Sequence, residues 1–425
     1  MKRIARSEQI EQTLHGFLES GMDSSEQPVS ELLKLGAQLM VQKALEQEVA
    51  DYLGRERYER RQEGEQGLRN GYEPGRIRSA EGEIVLQVPQ VRGTQRPYNS
   101  KLMEFLRGNS DVLERLVVQM YARGLSTRDI EEAFRDPYTG ELLLGRTAIS
   151  ELTESLWEDY QAFCQRDLSG FEVEYLFLDA VYESLREQAG LKEGVLVAWG
   201  ICRDGRKVLL HMTLGSKESL DAWLQMLRDL VRRGLHAPTL ITTDGAPGLI
   251  AAVQQVWPRS LRQRCLAHKK RNILGKVPDM AREQVKLALS AVYNAPNHQV
   301  ADLLAADFIT RYGDLYPSAV SCFTDDLEAC LAFLNCPAIH HRRIRTTNLL
   351  ERAFVEQRRR TRTIPRFFDE RSCLKLVFAT LWQTSERWKK VRMSDIECKQ
   401  LDHLRRKLKL EEAQLAKPEP VEAAA

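Results

Sequence analysis

Three acidic residues stand where they could hold divalent metal ions. Asp179 closes the apolar run Glu174-Tyr-Leu-Phe-Leu-Asp179. Asp244 closes a second, Leu240-Ile-Thr-Thr-Asp244-Gly245. Glu351 sits in Arg345-Thr-Thr-Asn-Leu-Leu-Glu351-Arg352, followed by a dense arginine cluster. Strand ends deliver side chains into the crevice at the edge of a sheet. Two strand-end aspartates and a helical glutamate could therefore converge on one site. Magnesium is held by a few carboxylates together with water and substrate phosphate. Paired metals stabilise both the attacking and the leaving oxygen of an in-line phosphoryl displacement. The arginines suggest that the substrate is a phosphodiester backbone.

Each acid also has an ordinary structural explanation. Asp179 could cap a following helix. Asp-Gly is a common turn pair, and Glu351 could pair with neighbouring arginines. Jointly, the three are harder to dismiss than singly.

The basic residues are patchy rather than abundant. Net charge is only +2. Yet residues 259–276 carry Arg259, Arg262, Arg264, Lys269, Lys270, Arg271 and Lys276 with no acid among them. Residues 342–371 carry ten arginines against Glu351, Glu356, Asp369 and Glu370. Arg352, Arg358, Arg359, Arg360 and Arg362 can be phosphate contacts, which position DNA without reading its sequence. They can equally form a solvated helix face with Arg352–Glu356–Arg360 pairs.

Cys265 and His268 form a Cys-x-x-His element within the first basic patch. One reading is zinc, with Cys336 and His340 or His341 completing four ligands, though structural zinc usually shows tighter paired spacings. The other is a helix that packs Cys265 inward and leaves His268 near DNA or the acids. Trp257 reads as a core residue, with stacking on an unpaired base as its functional alternative.

The elements that must position these residues follow from periodicity. At 425 residues the chain should hold two to four domains, and an apolar fraction of 43% is enough for real cores. Eight scattered cysteines without a CxxC pair suit a reducing cytosol. The N-terminus shows no signal-peptide pattern and no apolar run is long enough to span a bilayer, so a soluble intracellular protein is expected. The first twenty-five residues read as loosely ordered. Residues 29–53 repeat at helical spacing. Arg69-Asn-Gly-Tyr72 reads as a turn, and residues 82–89 as a strand placed at an edge or ended by Pro89.

Helices are expected over residues 112–121, over 128–135 with Ser126 or Thr127 as cap, and over 147–156. This is a helix-turn-helix-like layout in which Thr127, Arg128 and Arg146 are candidate DNA contacts. A plain helical bundle is the alternative. Strands are expected at 174–178, 194–202, 207–214 and 239–243, with a hairpin at Arg203-Asp204-Gly205-Arg206 and an amphipathic helix at 218–233. Residues 247–339 show only helical spacing. Helices near 347 and over 367–388 follow, and residues 417–425 read as disordered.

The segments Leu178-Asp179-Ala180, Thr242-Thr-Asp-Gly245, Arg264-Cys-Leu-Ala-His-Lys269 and Arg345-Thr-Thr-Asn-Leu-Leu-Glu-Arg-Ala-Phe-Val-Glu-Gln-Arg-Arg-Arg-Thr-Arg362 resemble the Mutator-type bacterial insertion-sequence transposases. So do Arg69-Asn-Gly-Tyr72, Val88-Pro89 and residues 121–130. The likeness runs from about residue 30 to 390. It implies an α/β fold: a ribonuclease-H-like mixed sheet at 169–246 and 340–395, interrupted by an all-α insertion at 247–339. Ahead of these comes a largely helical N-terminal DNA-binding part: a helical and small β region at 1–109 and a helix-turn-helix-like DNA-binding region at 110–168. Residues 396–425 would be a C-terminal helix and tail. It implies a DDE triad of Asp179, Asp244 and Glu351 holding two Mg²⁺ ions, with Mn²⁺ able to substitute. The expected partners are DNA (terminal inverted repeats and target) and further copies of the chain, as a dimer or higher multimer. The expected location is the bacterial cytoplasm, at the nucleoid. The loop at 136–146 looks longer than the family pattern, which leaves the recognition helix unassigned. A catalytically silent DNA-binding derivative and a metal nuclease without strand transfer are the alternatives.

Overall fold

The computed structural model describes residues 4–21, 28–59, 67–94, 97–106, 108–135, 142–184, 192–215, 219–362, 364, 367 and 369–411. The tail at 417–425 and part of the 136–146 loop lie outside them. The chain divides into two compact units, Met1–Glu154 and Ser155–Ala425. It is mixed α/β, with one sheet in each unit.

The first unit begins with a helix, contrary to the loose order expected there. Helix α1 (Arg6–Gly16) is tied to helix α2 (Pro28–Leu53) through Glu46, which accepts from Ser7 Oγ at 2.6 Å and Arg6 N at 3.0 Å. Strands β1 (Leu68–Ser79) and β2 (Gly82–Arg92) form an antiparallel hairpin on α2, with Leu45, Ile77, Ile84 and Leu86 buried between them. Asn70-Gly71 is not a turn. The register of β1 shifts between Arg69 and Tyr72, and Gly71 takes φ +85°. That is a bulge, where a glycine accepts the left-handed conformation without cost. Pro89 lies in β2, an edge strand in the order β2-β1-β3, where a missing N–H can face outward.

After α3 (Lys101–Leu106) and the short β3 (Gly108–Asn109) come α4 (Asp111–Ala122), α5 (Thr127–Ala133) and α6 (Arg146–Leu152). Ser126 caps α5 in a reciprocal box with Asp129. Leu113, Val117, Ile130, Leu144 and Ile149 bury a small three-helix core.

In the second unit, α7 (Ser155–Gln165) leads to strands β4 (Val173–Ser184), β5 (Lys192–Cys202) and β6 (Lys207–Gly215). Helix α8 (Leu220–Arg232), β7 (Leu240–Thr243), α9 (Pro247–Val256) and β8 (Leu261–Arg264) follow. The sheet order is β6-β5-β4-β7-β8, with β4, β7 and β8 parallel. Strand β8 falls where only helices were expected. Its sequence, Leu-Arg-Gln-Arg, hides it, because the buried Gln263 is satisfied by Phe333 N and the Cys330 carbonyl instead of by apolar packing.

Side chains alternate across a strand. Leu176, Leu178 and Ile241 face α8 and α9, burying Trp223, Leu227, Leu230, Leu249 and Val253. Each large apolar side chain removed from water there contributes about 1.5–3 kcal/mol. The opposite face, carrying Tyr175, Phe177 and Thr242, is left for the later helices. These begin with α10 (Leu266–Leu274), α11 (Arg282–Tyr293), α12 (His298–Tyr312), α13 (Pro317–Thr324) and α14 (Leu327–Leu331). The chain then returns through α15 (His341–Ile344), α16 (Asn348–Thr361), α17 (Glu370–Glu386) and α18 (Asp395–Lys407). Among the described residues no helix is long and apolar enough to cross a membrane.

Candidate active site

Sheet register brings the site together. Phe177 pairs with Thr242, and Thr242 with Gln263. Two residues further along each strand direction, on the same face, are Asp179, Asp244 and Cys265. Asp179 does not end its strand, since β4 runs on to Ser184. The pairing with β7 does end there, at Leu178–Thr243. Asp179 thus lies where β7 leaves the sheet, which opens the crevice that a strand end would have provided.

Asp179 is 8% exposed. Burial, and then the charge of Asp244, push its carboxyl up to about 7. The Ala180 N–H at 2.9 Å, His268 and the Thr347 hydroxyl act in the opposite direction. Asp244 accepts from Ala246 N at 3.0 Å, which fixes it at the entrance to α9. Between Asp244 and Ala246, Gly245 takes φ +92°, and a Cβ built there would meet the Arg264 guanidinium.

Glu351 is in the first turn of α16, where the helix dipole favours a carboxylate. Three links stitch the preceding segment to the strand ends. Thr242 Oγ1 donates to the Ile344 carbonyl at 2.7 Å, and Leu266 N to the Arg345 carbonyl at 3.0 Å. The N–H and the hydroxyl of Thr347 both donate to Cys265 Sγ at 3.3 Å. His268, on α10, sets its Nε2 3.8 Å from Glu351 Oε1.

Its Nδ1 is buried without a well-aligned hydrogen bond, and the neighbouring Cys265 sulfur is what most raises the imidazole's basicity. Burial alone would raise the Cys265 thiol. His268 and Thr347 outweigh it and bring the thiol below its ordinary range.

Among the described residues no three His, Cys, Asp or Glu side chains are already gathered at metal-ligand spacing. The acids are linked rather than superimposed: Asp179 to Asp244 by mutual repulsion, Glu351 through His268. Their chemistry suits a hard divalent cation, which takes carboxylate oxygens and would offset both the burial and the repulsion at Asp179.

The four-ligand zinc arrangement is not assembled. His340 uses Nδ1 on the Tyr175 hydroxyl and Nε2 on the Arg392 carbonyl, and His341 Nε2 bonds the Cys336 carbonyl. Cys265 is fully buried, and Trp257 packs in the core under α8 and α9 with only 5% exposure, which removes it from stacking on a base.

The basic residues divide by placement. Arg271, Arg352, Arg358, Arg359 and Arg362 are exposed, with Arg359 at 3.1 Å and the half-buried Arg360 at 2.7 Å from Glu356. Lys270 is half-buried over the Tyr293 ring and donates to Ser290 Oγ at 3.0 Å. Lys269 is 2% exposed and turns inward to the Asp325 carbonyl, so it does not join Arg271 on a common face. Arg264 is also buried, with its Nε unpartnered. In the first unit Thr127 opens α5, Arg128 is exposed, and Arg146 pairs with Glu131 at 3.2 Å. The sequence offered no role for Thr347, for Gly245 or for the Ala180 amide, because their parts depend on strands brought side by side.

The chain matches the family model described as transposase, Mutator family, over residues 9–391. It is 33% identical to the transposase for insertion sequence element ISRM5 of Rhizobium meliloti, over 82% of this chain and 86% of that one. It is 32% identical to the transposase for insertion sequence element IS406 of Burkholderia multivorans, over 89% and 95%. It is 27% identical to the transposase for insertion sequence element IS256 in transposon Tn4001 of Staphylococcus aureus, over 81% and 87%.

Proposed function

Since this chain belongs to the Mutator family of transposases, we propose that it cuts DNA at the ends of its own insertion sequence and joins the freed 3′-hydroxyl to a target phosphodiester. The observation that carries this reading is the buried Asp179 carboxyl facing Asp244, with Glu351 brought alongside through His268.

Asp179, Asp244 and Glu351 are the metal-binding groups. Two Mg²⁺ ions held there, or Mn²⁺ in their place, would activate water and stabilise charge on the attacking and leaving oxygens. The protein's task is placement. β4 and the turn that follows β7 hold the two aspartates, α16 holds the glutamate, and His268 restrains Glu351. Arg352, Arg358 and Arg362 on the exposed side of α16 meet the DNA backbone. No residue forms a covalent bond to DNA. Attack on phosphorus by water breaks the P–O3′ bond and frees the 3′-hydroxyl, which in turn attacks a target phosphorus and displaces a second 3′-oxygen.

The five-stranded sheet with its later helices corresponds in this reading to a ribonuclease-H-like core, and the helices between β8 and α15 to its insertion. Helices α4–α6 bind the terminal inverted repeats through residues such as Thr127, Arg128 and Arg146. Two element ends must be held together, so the active form is a dimer or higher multimer, working at the bacterial nucleoid. The test is incubation of purified protein with Mg²⁺ or Mn²⁺ and DNA carrying both flanked element ends, with products mapped at nucleotide resolution. Joined products together with nicks support transposition. Nicks alone would leave a nuclease, and neither product would leave a DNA-binding protein.

A further inference from the structure

The segment Arg387-Trp-Lys-Lys-Val-Arg392 carries four cations and no acid. It joins α17 to α18 as irregular chain, yet its backbone is fastened at three points. Lys207 Nζ donates to the Lys389 carbonyl at 2.9 Å, and Val391 N donates to the Gly205 carbonyl at 2.8 Å. His340 Nε2 donates to the Arg392 carbonyl at 2.9 Å, which leaves Nδ1 to accept from the Tyr175 hydroxyl at 2.7 Å. Trp388 stacks on the fully buried Trp199 at 4.5 Å, and Val391 is buried. A Cβ built at Gly205 would meet the Val391 carbonyl, so the β5–β6 turn is shaped to receive this strap. The side chains of Arg387, Lys389, Lys390 and Arg392 are left exposed. Carboxylates that feel their charge are already paired, Asp204 with Arg206 and Glu356 with Arg359 and Arg360.

The strap lies on the sheet face that carries the acids. Residues directly opposite across two strands share a face. Trp199 pairs with Phe177 and Val197 with Asp179, so Trp199 stands on the Asp179 face, roughly 7 Å along β5 from the partner of Asp179. From Trp199 the strap runs to the turn at Gly205, away from the acids. Burial, and then the charges of Arg343 and Arg352, hold the Lys207 ammonium below its ordinary range. The strap's anchor thus adjoins the cations flanking Glu351. Like charges gathered on a fixed loop repel one another, and a polyanion relieves that repulsion. Binding residues concentrate on loops held by a rigid scaffold. A merely solvated loop needs no such fastening.

We infer that the strap at 387–392 is a second track for the DNA backbone, with Lys389, Lys390 and Arg392 as phosphate contacts leading away from the acids. This rests on the reading of the chain as an enzyme that acts on DNA. Phosphate contacts position a duplex without reading its sequence, so element ends and target DNA offer the strap the same chemistry.

The test uses the full chain in chelator, with fluorescence anisotropy on an element-end duplex and on an unrelated duplex of equal length, over a range of salt. Lys389→Gln together with Lys390→Gln keeps the backbone bonds and removes two charges. It should lower the slope of log affinity against log salt by about two units. A fall on both duplexes supports a general backbone track. A fall on the end alone assigns the strap to the element end, and a fall on the unrelated duplex alone assigns it to target DNA. Lys389→Arg together with Lys390→Arg should keep the parent slope. Lys399→Gln together with Lys407→Gln removes the same charge from exposed positions on α18 and should leave the slope unchanged. A parent-like slope in the Lys389→Gln, Lys390→Gln variant, or an equal fall in the α18 variant, overturns the inference while leaving nicking and joining at the acids standing. A parent that binds both duplexes but yields neither nicks nor joined products in Mg²⁺ would instead overturn the proposed function itself.

Discussion

His268 Nε2 stands 3.8 Å from Glu351 Oε1, and the same imidazole feels the charge of Asp179. One side chain on α10 thereby connects acids on β4 and α16. Its basicity is raised first by Cys265, against burial, and then by both carboxylates. The Cys-x-x-His element thus belongs to the acidic site. This relationship and the placements around it lead to five expectations.

Replacing Asp179, Asp244 or Glu351 singly by alanine should lower cleavage by on the order of 10²–10³ or more, the scale for loss of one electrostatic group at a reacting centre. Binding to element ends should persist, because α4–α6 lie in a separate compact unit. Gel-shift and cleavage assays on the same preparations check this. Near-normal cleavage by Glu351→Ala would remove that residue from the site.

Asp179 should make the metal-free protein sensitive to alkaline pH. Its folded carboxyl sits near 7 against an ordinary 3.8, so the folded state binds the proton more tightly. That contribution is fully present below about pH 4 and is lost as pH rises to about 7. Asp179→Asn, in chelator, should therefore melt above the parent at pH 8, by on the order of 1–4 kcal/mol at about 1.4 kcal/mol per unit. The gap should shrink toward pH 4. Mn²⁺ should raise the parent's melting temperature at pH 8 and barely affect the variant. A gap that widens on acidification would contradict the assigned direction.

Gly245→Ala should destabilise through two separable causes. The φ of +92° costs about 1–2 kcal/mol for a residue with a Cβ. The new methyl must also expel Arg264. In an Arg264→Ala background the second cost should vanish and the first remain. Denaturant unfolding of the double cycle measures both, and full additivity would place the guanidinium elsewhere.

The basic stretch should divide when salt dependence is measured. Arg271→Ala should reduce the slope of log affinity against log salt by about one unit if Arg271 neutralises a phosphate. Lys269→Ala should leave the slope alone and lower stability, since its ammonium is buried against Asp325. Equal slope changes from both would mean that this helix rearranges on DNA.

A fragment ending at Glu154 should fold and bind element ends with sequence preference, without nuclease activity. The boundary follows from the compact units. Helix α7 is excluded because its Tyr160 donates to the Met212 carbonyl of the five-stranded sheet at 3.1 Å. Base preference confined to residues 155–411 would move the reader out of α4–α6.

Asp179, Asp244 and Glu351 were visible in the linear sequence because apolar runs and an arginine-rich helix announce themselves locally. So were α2, α4, α5, α8 and the Arg203–Arg206 hairpin, whose periodicity and turn residues are properties of short windows. Strand β8 was not, since Leu-Arg-Gln-Arg becomes a strand only when Cys330 and Phe333 satisfy Gln263. Nor was the bulge at Gly71, which needs β2 as its partner, nor the inward turn of Lys269, which needs Asp325. Thr347 is the clearest case. It stands at the start of α16, but its hydroxyl donates to a sulfur 82 positions away. Local chemistry is written in residue types and spacing. Which polar group a buried side chain finally serves depends on the cost of leaving any of them unpaired, and only the assembled sheet and helices determine that.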